Sequence, residues 1–282
     1  MRSQWPRHAG WTALALLVGC DGGARDIAAA VERSRVLVRN ARHAEAIQVL
    51  DSVLARRPSS ADALKLRGNA YRGMGDPHRA ILDYDQALAI EPSNSRVVHD
   101  RGASFQDLLE LERALQDFST AIRLDSTYAL AWKDRGRTHF YLGRLADAAA
   151  DTRRGLALDS TNLYVAIWLH FMHARLGVDD RADFARHAAL SDSVRWPGPV
   201  ARYFLGRLTE AQFLAAADDP SPRLQSEQRC AAAYFVGQMR MTQAQPAAAV
   251  SWFTRAAATC PHYFTEYRGA TAELRRMGAP VP

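Results

Sequence analysis

The chain has 282 residues, 48% hydrophobic and 23% charged, which excludes a largely disordered polymer and suits one large domain or two small ones. Its formal charge of +6 rests almost wholly on arginine, since Lys65 and Lys133 are the only lysines. No long block of like charges occurs, which excludes the basic tail of a nucleic-acid binder. An anionic membrane surface and an acidic partner stay open, beside the plainer reading of arginine written for lysine by a GC-rich genome.

The first ten residues carry Arg2, Arg7 and His8 and no acid, and residues 11–18 form a short apolar run. That run is far below the ~20 residues a membrane-spanning helix needs and fits the apolar core of a secretory signal peptide. It ends in Leu17-Val18-Gly19-Cys20, which resembles the bacterial lipobox. The resemblance implies a signal peptide over 1–19, diacylglycerol on the Cys20 sulfur, and a lipidated terminus and linker over 20–26. Several acyl chains hold a protein at a membrane where one is marginal. A soluble secreted protein cut nearby is the alternative. The expected location is the bacterial envelope, lipid-anchored and periplasm-facing; Asp21 is similar to an inner-membrane retention signal, and inner versus outer membrane stays open.

Self-similarity begins after the linker. Gly68, Gly102 and Gly136 recur at intervals of 34, as do Ala46, Ala80, Ala114 and Ala148. Leu50, Tyr84, Phe118 and Thr152 keep the same phase, and Pro58 and Pro92 close the first two units. In the best unit Leu64, Gly68, Tyr71 and Gly75 fall on one face of a helix, while Ala80, Tyr84 and Ala87 make a facing stripe on a second. Gly and Ala permit close helix approach, and Pro92 stops the second helix. These columns resemble the tetratricopeptide repeat (TPR), whose period is about 34 residues. The resemblance implies an all-α TPR helical-hairpin solenoid, a right-handed superhelix, with four units over 27–60, 61–94, 95–128 and 129–162.

Residues 163–229 keep helical composition but lose the period, and read as a degenerate helical segment. Trp168, Leu169 and Phe171 suggest one hairpin, Trp196-Pro197-Gly198-Pro199 is a breaker, and Thr209 with Gln212 reads as a capping box. A further unit over 230–263 has Gly237, Ala249, Phe253, Ala256 and Pro261 in phase. Over 264–282 a capping helix and tail follow: Phe264, Tyr267, Ala270, Leu274 and Met277 make an apolar stripe, and Glu266, Arg268, Glu273 and Arg275 are expected to be its solvated face.

The order of parts resembles the NlpI-like TPR lipoproteins of the bacterial envelope. The likeness runs through Cys20, Leu66-Arg67-Gly68, Asp134-Arg135-Gly136, Trp168-Leu169 and Trp196. It continues through Tyr203-Phe204-Leu205-Gly206, Tyr234-Phe235-Val236-Gly237 and Phe264-Thr265-Glu266-Tyr267. It implies a homodimeric adaptor that brings a periplasmic C-terminal-processing protease to peptidoglycan hydrolases. Asp21, Cys230 and Cys260 depart from that family's pattern.

Cys230 and Cys260 are expected at the start of the first and the end of the second helix of the last repeat. Antiparallel packing brings those points together, so a disulfide is expected in an oxidising periplasm, with two buried thiols as the alternative. Arg67, Arg101 and Arg135 recur with Asp83, Asp117 and Asp151. They read as ion pairs tying hairpins together, with a charged recognition stripe as the other reading. His170 and His173 form H-x-x-H, short of the three or four ligands zinc takes. The chain carries no nucleophile elbow, P-loop, H-E-x-x-H or dinucleotide fingerprint, and the reading is not an enzyme, with no cofactor and no metal.

The second face of each first helix is left for partners. By the TPR pattern it carries Asp62, Lys65, Asn69 and Arg72, then Arg96, His99 and Gln106, then Lys133, Arg137, Phe140 and Tyr141. Lys65 and Asn69 match two positions of the clamp with which chaperone-binding TPRs hold a carboxylate, but Asp100, Leu130 and Asp134 do not, so that role is rejected. A basic and aromatic groove suits an extended peptide with acidic groups. The competing reading is a ligand-binding or enzymatic envelope protein with a pocket in 163–229.

Overall fold

The computed structural model describes residues 19–192, 194–262 and 264–282, with side chains from residue 23. The apolar run at 11–18, the lipobox and the Cys20 side chain therefore lie outside the described residues. Among the described residues every regular element is an α-helix, and none is long and apolar enough to cross a membrane. The chain divides into two compact units, 1–92 and 93–282.

The first unit holds α1 (Gly19–Arg39), α2 (His43–Arg56), α3 (Ala61–Gly73) and α4 (Pro77–Ile90). Its boundaries follow from cap chemistry. The Ser60 hydroxyl accepts the Ala63 N–H at the start of α3, and Asp76 accepts the Arg79 N–H at the start of α4, where Pro77 holds a first-turn position needing no donor. Gly75 makes the turn between them at φ +79°. A Cβ on Gly68 would lie 2.7 Å from Cε1 of the buried Tyr84, so the ring fills the space the absent side chain leaves. Arg67 reaches both oxygens of Asp83 on α4 at 2.9 and 2.7 Å and Asp51 on α2 at 2.6 Å.

The second unit repeats this plan. Its helices are α5 (Ser95–Asp107), α6 (Leu111–Leu124), α7 (Ala129–Tyr141), α8 (Leu145–Leu158), α9 (Leu163–Arg175) and α10 (Arg181–Ala189). After them come α11 (Gly198–Phe204), α12 (Glu210–Ala215), α13 (Pro222–Thr242), α14 (Pro246–Thr259) and α15 (Thr265–Arg276). Arg101 forks onto Asp117 at 2.8 and 2.7 Å, and Arg135 onto Asp151 at 2.6 and 2.8 Å. Arg135 also donates to Ser119 on α6. The periodic charges thus join the helices within and between hairpins, and each planar fork makes two parallel hydrogen bonds. The capping box at Thr209 and Gln212 opens α12.

Cys230 and Cys260 are joined, with Cα atoms 5.0 Å apart. Cys230 lies well inside α13 rather than at its start, because Pro222 at the first turn begins the helix earlier. Cys260 caps α14. Closing a loop of that separation, 30 residues, contributes roughly 3–4 kcal/mol in the chain-entropy account.

The core of this unit is continuous from α7 to α15 and dominated by rings. Phe140, Trp168, Phe171, Tyr234 and Phe253 are buried and meet mostly edge to face or tilted at 5.2–6.4 Å. The last helix departs from expectation. Glu266, Arg268 and Glu273 are 3%, 7% and 0% exposed, so the face expected to be solvated is buried, and of its four charged residues only Arg275 is exposed. For Arg268 and Glu273 the cause is pairing. Arg268 binds Asp107 at 2.7 Å, Glu273 accepts from Arg175, from Gln238 at 3.2 Å and from Arg276 at 2.7 Å, and Arg276 donates to the Phe140 carbonyl at 2.9 Å. A Cβ on Gly269 would lie 2.7 Å from the Tyr234 ring, which sets how closely α15 meets α13. This helix is an integral wall of the unit, not a solvated cap.

Candidate partner-binding groove

In the first unit the four expected groove residues, Asp62, Lys65, Asn69 and Arg72, lie on α3. Lys65 pairs with Asp62 at 2.7 Å, Asn69 accepts the Tyr84 hydroxyl at 2.7 Å, and Arg72 is half-buried. Asn69 is thereby tied to the ring that plugs Gly68, which limits it as a free contact.

In the second unit Arg96 is exposed, but His99 and Gln106 are buried, contrary to the groove expectation. They form the polar seam between α5 and α7. His99 meets Asp134 at 2.8 Å through Nε2, and Asp100 at 3.2 Å and the Tyr128 hydroxyl at 3.3 Å through Nδ1. Gln106 donates to the Thr138 hydroxyl at 2.7 Å. Burial works against the His99 imidazolium, but the hydrogen bonds to Asp100 and Asp134 outweigh it and raise its pKa to about 9. A group raised on folding adds stability that is complete below its unfolded value, 6.5, and is lost as the pH climbs through about 9. Resistance to urea should fall across that window, and His99→Gln should flatten the fall. An equal slope in both proteins would remove the charged His99–Asp134 pair from the account.

Phe140 and Tyr141 are the clearest corrections. Phe140 is 0% exposed, seated among Trp168 and Phe171 with the Arg276 guanidinium 5.4 Å from its ring. Tyr141 is buried and donates its hydroxyl to the Thr265 carbonyl at 3.3 Å. Both side chains meet structure that arrives late in the chain, so they form core instead of lining an open groove.

Lys133 and Arg137 do line a cavity. It is about 150 Å³ in volume, bounded also by Leu130, Thr152, Asn162, Tyr164, Val165 and Trp168. Lys133 is buried and bridges to Asp159 at 2.8 Å. Arg137 is half-buried, paired with Asp134, and donates to the Thr265 hydroxyl at 2.8 Å. Trp168 also bounds the cavity, with its indole Nε1 buried and without a hydrogen-bond partner. Two cationic side chains in the lining suit an anionic group. The sequence pattern placed the cations here. It missed Trp168 and Tyr164, which lie beyond the last regular repeat, and Asn162, which ends that repeat, shares the phase of Asn94 and caps α9 as Asn94 caps α5.

The H-x-x-H pair is otherwise engaged. His170 Nδ1 and His173 Nδ1 meet the two oxygens of Asp180 at 2.6 and 2.7 Å, joining α9 to the start of α10. Burial opposes the Asp180 charge, yet the two histidines hold its carboxyl below the usual range. Two cavities of about 640 Å³ each lie at the non-repeating segment, one bounded by Tyr164, Trp196, Asp219 and Glu266 among others, the other by Asp179, Arg181, Asp183, Leu205 and Arg207 among others.

A tetratricopeptide repeat family model matches residues 61–94 and a second matches residues 99–162. These segments are tetratricopeptide repeats. A TPR protein from Parabacteroides merdae aligns with a TM-score of 0.55 at 17% identity, covering 89% of this chain and 99% of that one. Pseudomonas aeruginosa PilF gives 0.54 at 18% identity, with the same 89% and 99% coverage. A crystal structure of MamA gives 0.50 at 18%, covering 56% of this chain and 93% of its own. At these identities the likeness shows the fold, an all-helical TPR solenoid. No curated protein matches the chain.

Proposed function

We propose that the chain is a protein-binding scaffold of the bacterial envelope that takes an acidic peptide segment of its partner at the α7–α9 cavity. The observation that carries this is the cavity itself, which Lys133 and Arg137 line in a TPR fold. Short acidic segments bind where a few fixed cations and an apolar wall meet them, and Leu130 and Val165 supply that wall. The Leu17-Val18-Gly19-Cys20 sequence supports a lipid anchor on Cys20, and the Cys230–Cys260 bridge suits an oxidising, periplasm-facing location. The NlpI-like order of parts supports an adaptor between a C-terminal-processing protease and peptidoglycan hydrolases, acting as a homodimer.

Reversing Lys133 is a poor test, because its ammonium is buried against Asp159 and its loss unsettles α7. Leu130 is 48% exposed at the cavity, so Leu130→Glu adds repulsion without opening the core. Captured from solubilised membranes, the wild-type chain should bring down a discrete partner that Leu130→Glu reduces about tenfold at an unchanged melting temperature. Undiminished recovery with the variant would remove the groove from the proposal. Loss of fatty-acid labelling in Cys20→Ser would support the anchor, and labelling that persists would refute it.

A further inference from the structure

The two halves of α15 are held unequally. In its second half Glu273 accepts from Arg175, from Gln238 at 3.2 Å and from Arg276 at 2.7 Å, and Ala270 and Leu274 are fully buried. The first half is less well satisfied. Phe264 stands at the N-cap and has no side-chain oxygen to receive the first-turn N–H groups. Glu266 is buried with its Oε1 lacking a hydrogen-bond partner. Arg268, also buried, pairs with Asp107 at 2.7 Å but leaves its Nε unmet. Buried polar atoms without partners work against the arrangement that buries them. Gly269, the poorest helix former in α15, divides the two halves.

The first half is also the part that meets the groove. Thr265 accepts from Arg137 at 2.8 Å through its hydroxyl and from the Tyr141 hydroxyl at 3.3 Å through its carbonyl, and Arg137 lines the groove cavity. A first turn that swings away gives up these contacts and the Arg268–Asp107 pair, and brings water to Glu266 and to Arg268 Nε. Protonation decides the balance. Burial is the chief influence on the Glu266 carboxyl and raises it to about 7, while its own backbone N–H, Arg137 and Arg268 draw it down only in part. Tyr141 on α7 also faces it, and Tyr164, Arg195, Asp218, Asp219 and Glu227 share a cavity with it. Those three acids are engaged by Arg229, Gln228 and Arg223 respectively. A carboxyl raised by docking favours the docked turn fully below 4.5, and that contribution is lost as the pH climbs to about 7.

We propose that the first turn of α15 is a proton-controlled gate at the Arg137 end of the groove, shut over α7 while Glu266 carries its proton and swinging open at Gly269 when the carboxyl ionises. Opening releases Arg137 from Thr265 and turns it toward an acidic segment in the groove. The second half of α15 stays in place, because Glu273 and Leu274 anchor it. The effect on a partner rests on the groove reading; the movement of the turn does not.

Amide hydrogen exchange of the full chain tests the gate, read as protection factors at about pH 5 and about pH 7.5 so that intrinsic exchange chemistry drops out. The amides of residues 268–270 donate back into the first turn. They should lose protection about tenfold or more at the higher pH, while those of residues 273–276 keep theirs. Glu266→Gln cannot ionise and should hold 268–270 protected at both values. Unchanged protection of 268–270 in the wild type, a parallel loss in both halves, or a pH dependence that survives Glu266→Gln would overturn the proposal. Partner capture from solubilised membranes should follow the gate, stronger at the higher pH in the wild type and weak at both in Glu266→Gln. Capture that is equal at both pH values would overturn control of the groove by the gate. No partner at either pH, with exchange as expected, would sink the groove reading and leave the gate supported.

Discussion

Arg175→Met is expected to lower the free energy of unfolding by about 3 kcal/mol and to make α15 sensitive to protease. Glu273 is 0% exposed, and Arg175 is the partner that reaches it from α9. Methionine keeps much of the volume but leaves a carboxylate buried against fewer donors. Arg276, on the same helix as Glu273, still pairs with it at 2.7 Å, which places the loss at the lower end of the range for broken buried pairs. A companion variant separates charge from packing. Arg175→Met with Glu273→Leu removes both charges and should recover most of the loss, since an apolar pair needs no solvation. Urea denaturation with limited proteolysis reads both effects. A single variant as stable as wild type would show that α15 is not held by this pair.

Phe140→Ala is expected to cost about 3–5 kcal/mol, the range for emptying a buried ring position. The ring touches Trp168 and Phe171 edge to face at 5.2 and 5.6 Å, and two guanidinium groups lie over it at 5.4 and 5.7 Å. Its removal leaves a hole where α7, α9 and α15 meet, so the melting temperature should fall before any binding site is touched. Phe140→Leu, which refills most of the space, should restore the greater part. If Phe140→Ala melted as wild type but lost its partner, the residue would belong to the groove after all.

Those two residues also mark the limit of what the sequence discloses. The hairpins were legible because one physical requirement, a small residue facing a large one, recurs at a fixed interval: Gly68 meets Tyr84, Gly102 meets Phe118 and Gly237 meets Phe253. The Arg–Asp pairs were legible for the same reason, since both columns repeat with the hairpin that joins them. What failed was the assignment of one face of α7 to solvent. A repeat pattern gives the faces a helix presents to its sequence neighbours, but not what a distant segment lays across the remaining one. Thr265 and Arg276, more than a hundred residues away from α7, reach Arg137, Tyr141 and the Phe140 carbonyl. The charges of α15 misled for a related reason: Arg268 and Glu273 read as part of a wet face because their partners Asp107, Arg175 and Gln238 lie in other hairpins.

The candidate site was legible in part. Lys133 and Arg137 were placed by the resemblance to the TPR pattern, and they line one cavity. Phase gave no means of seeing that Lys133 is spent on Asp159 at the end of α8, nor that the Trp168 N–H on α9, beyond the regular repeats, is left unmet.

Photocrosslinking in living cells tests the partner-binding groove most directly. A benzophenone amino acid placed at Leu130, at the groove cavity, and separately at Leu190, exposed at the end of α10, reports what each surface touches. The groove account predicts one discrete protein adduct from position 130, absent from position 190 and lost when Arg137→Glu is added to a chain that still melts normally. An adduct from position 190 alone, or one from position 130 that survives Arg137→Glu, would contradict it.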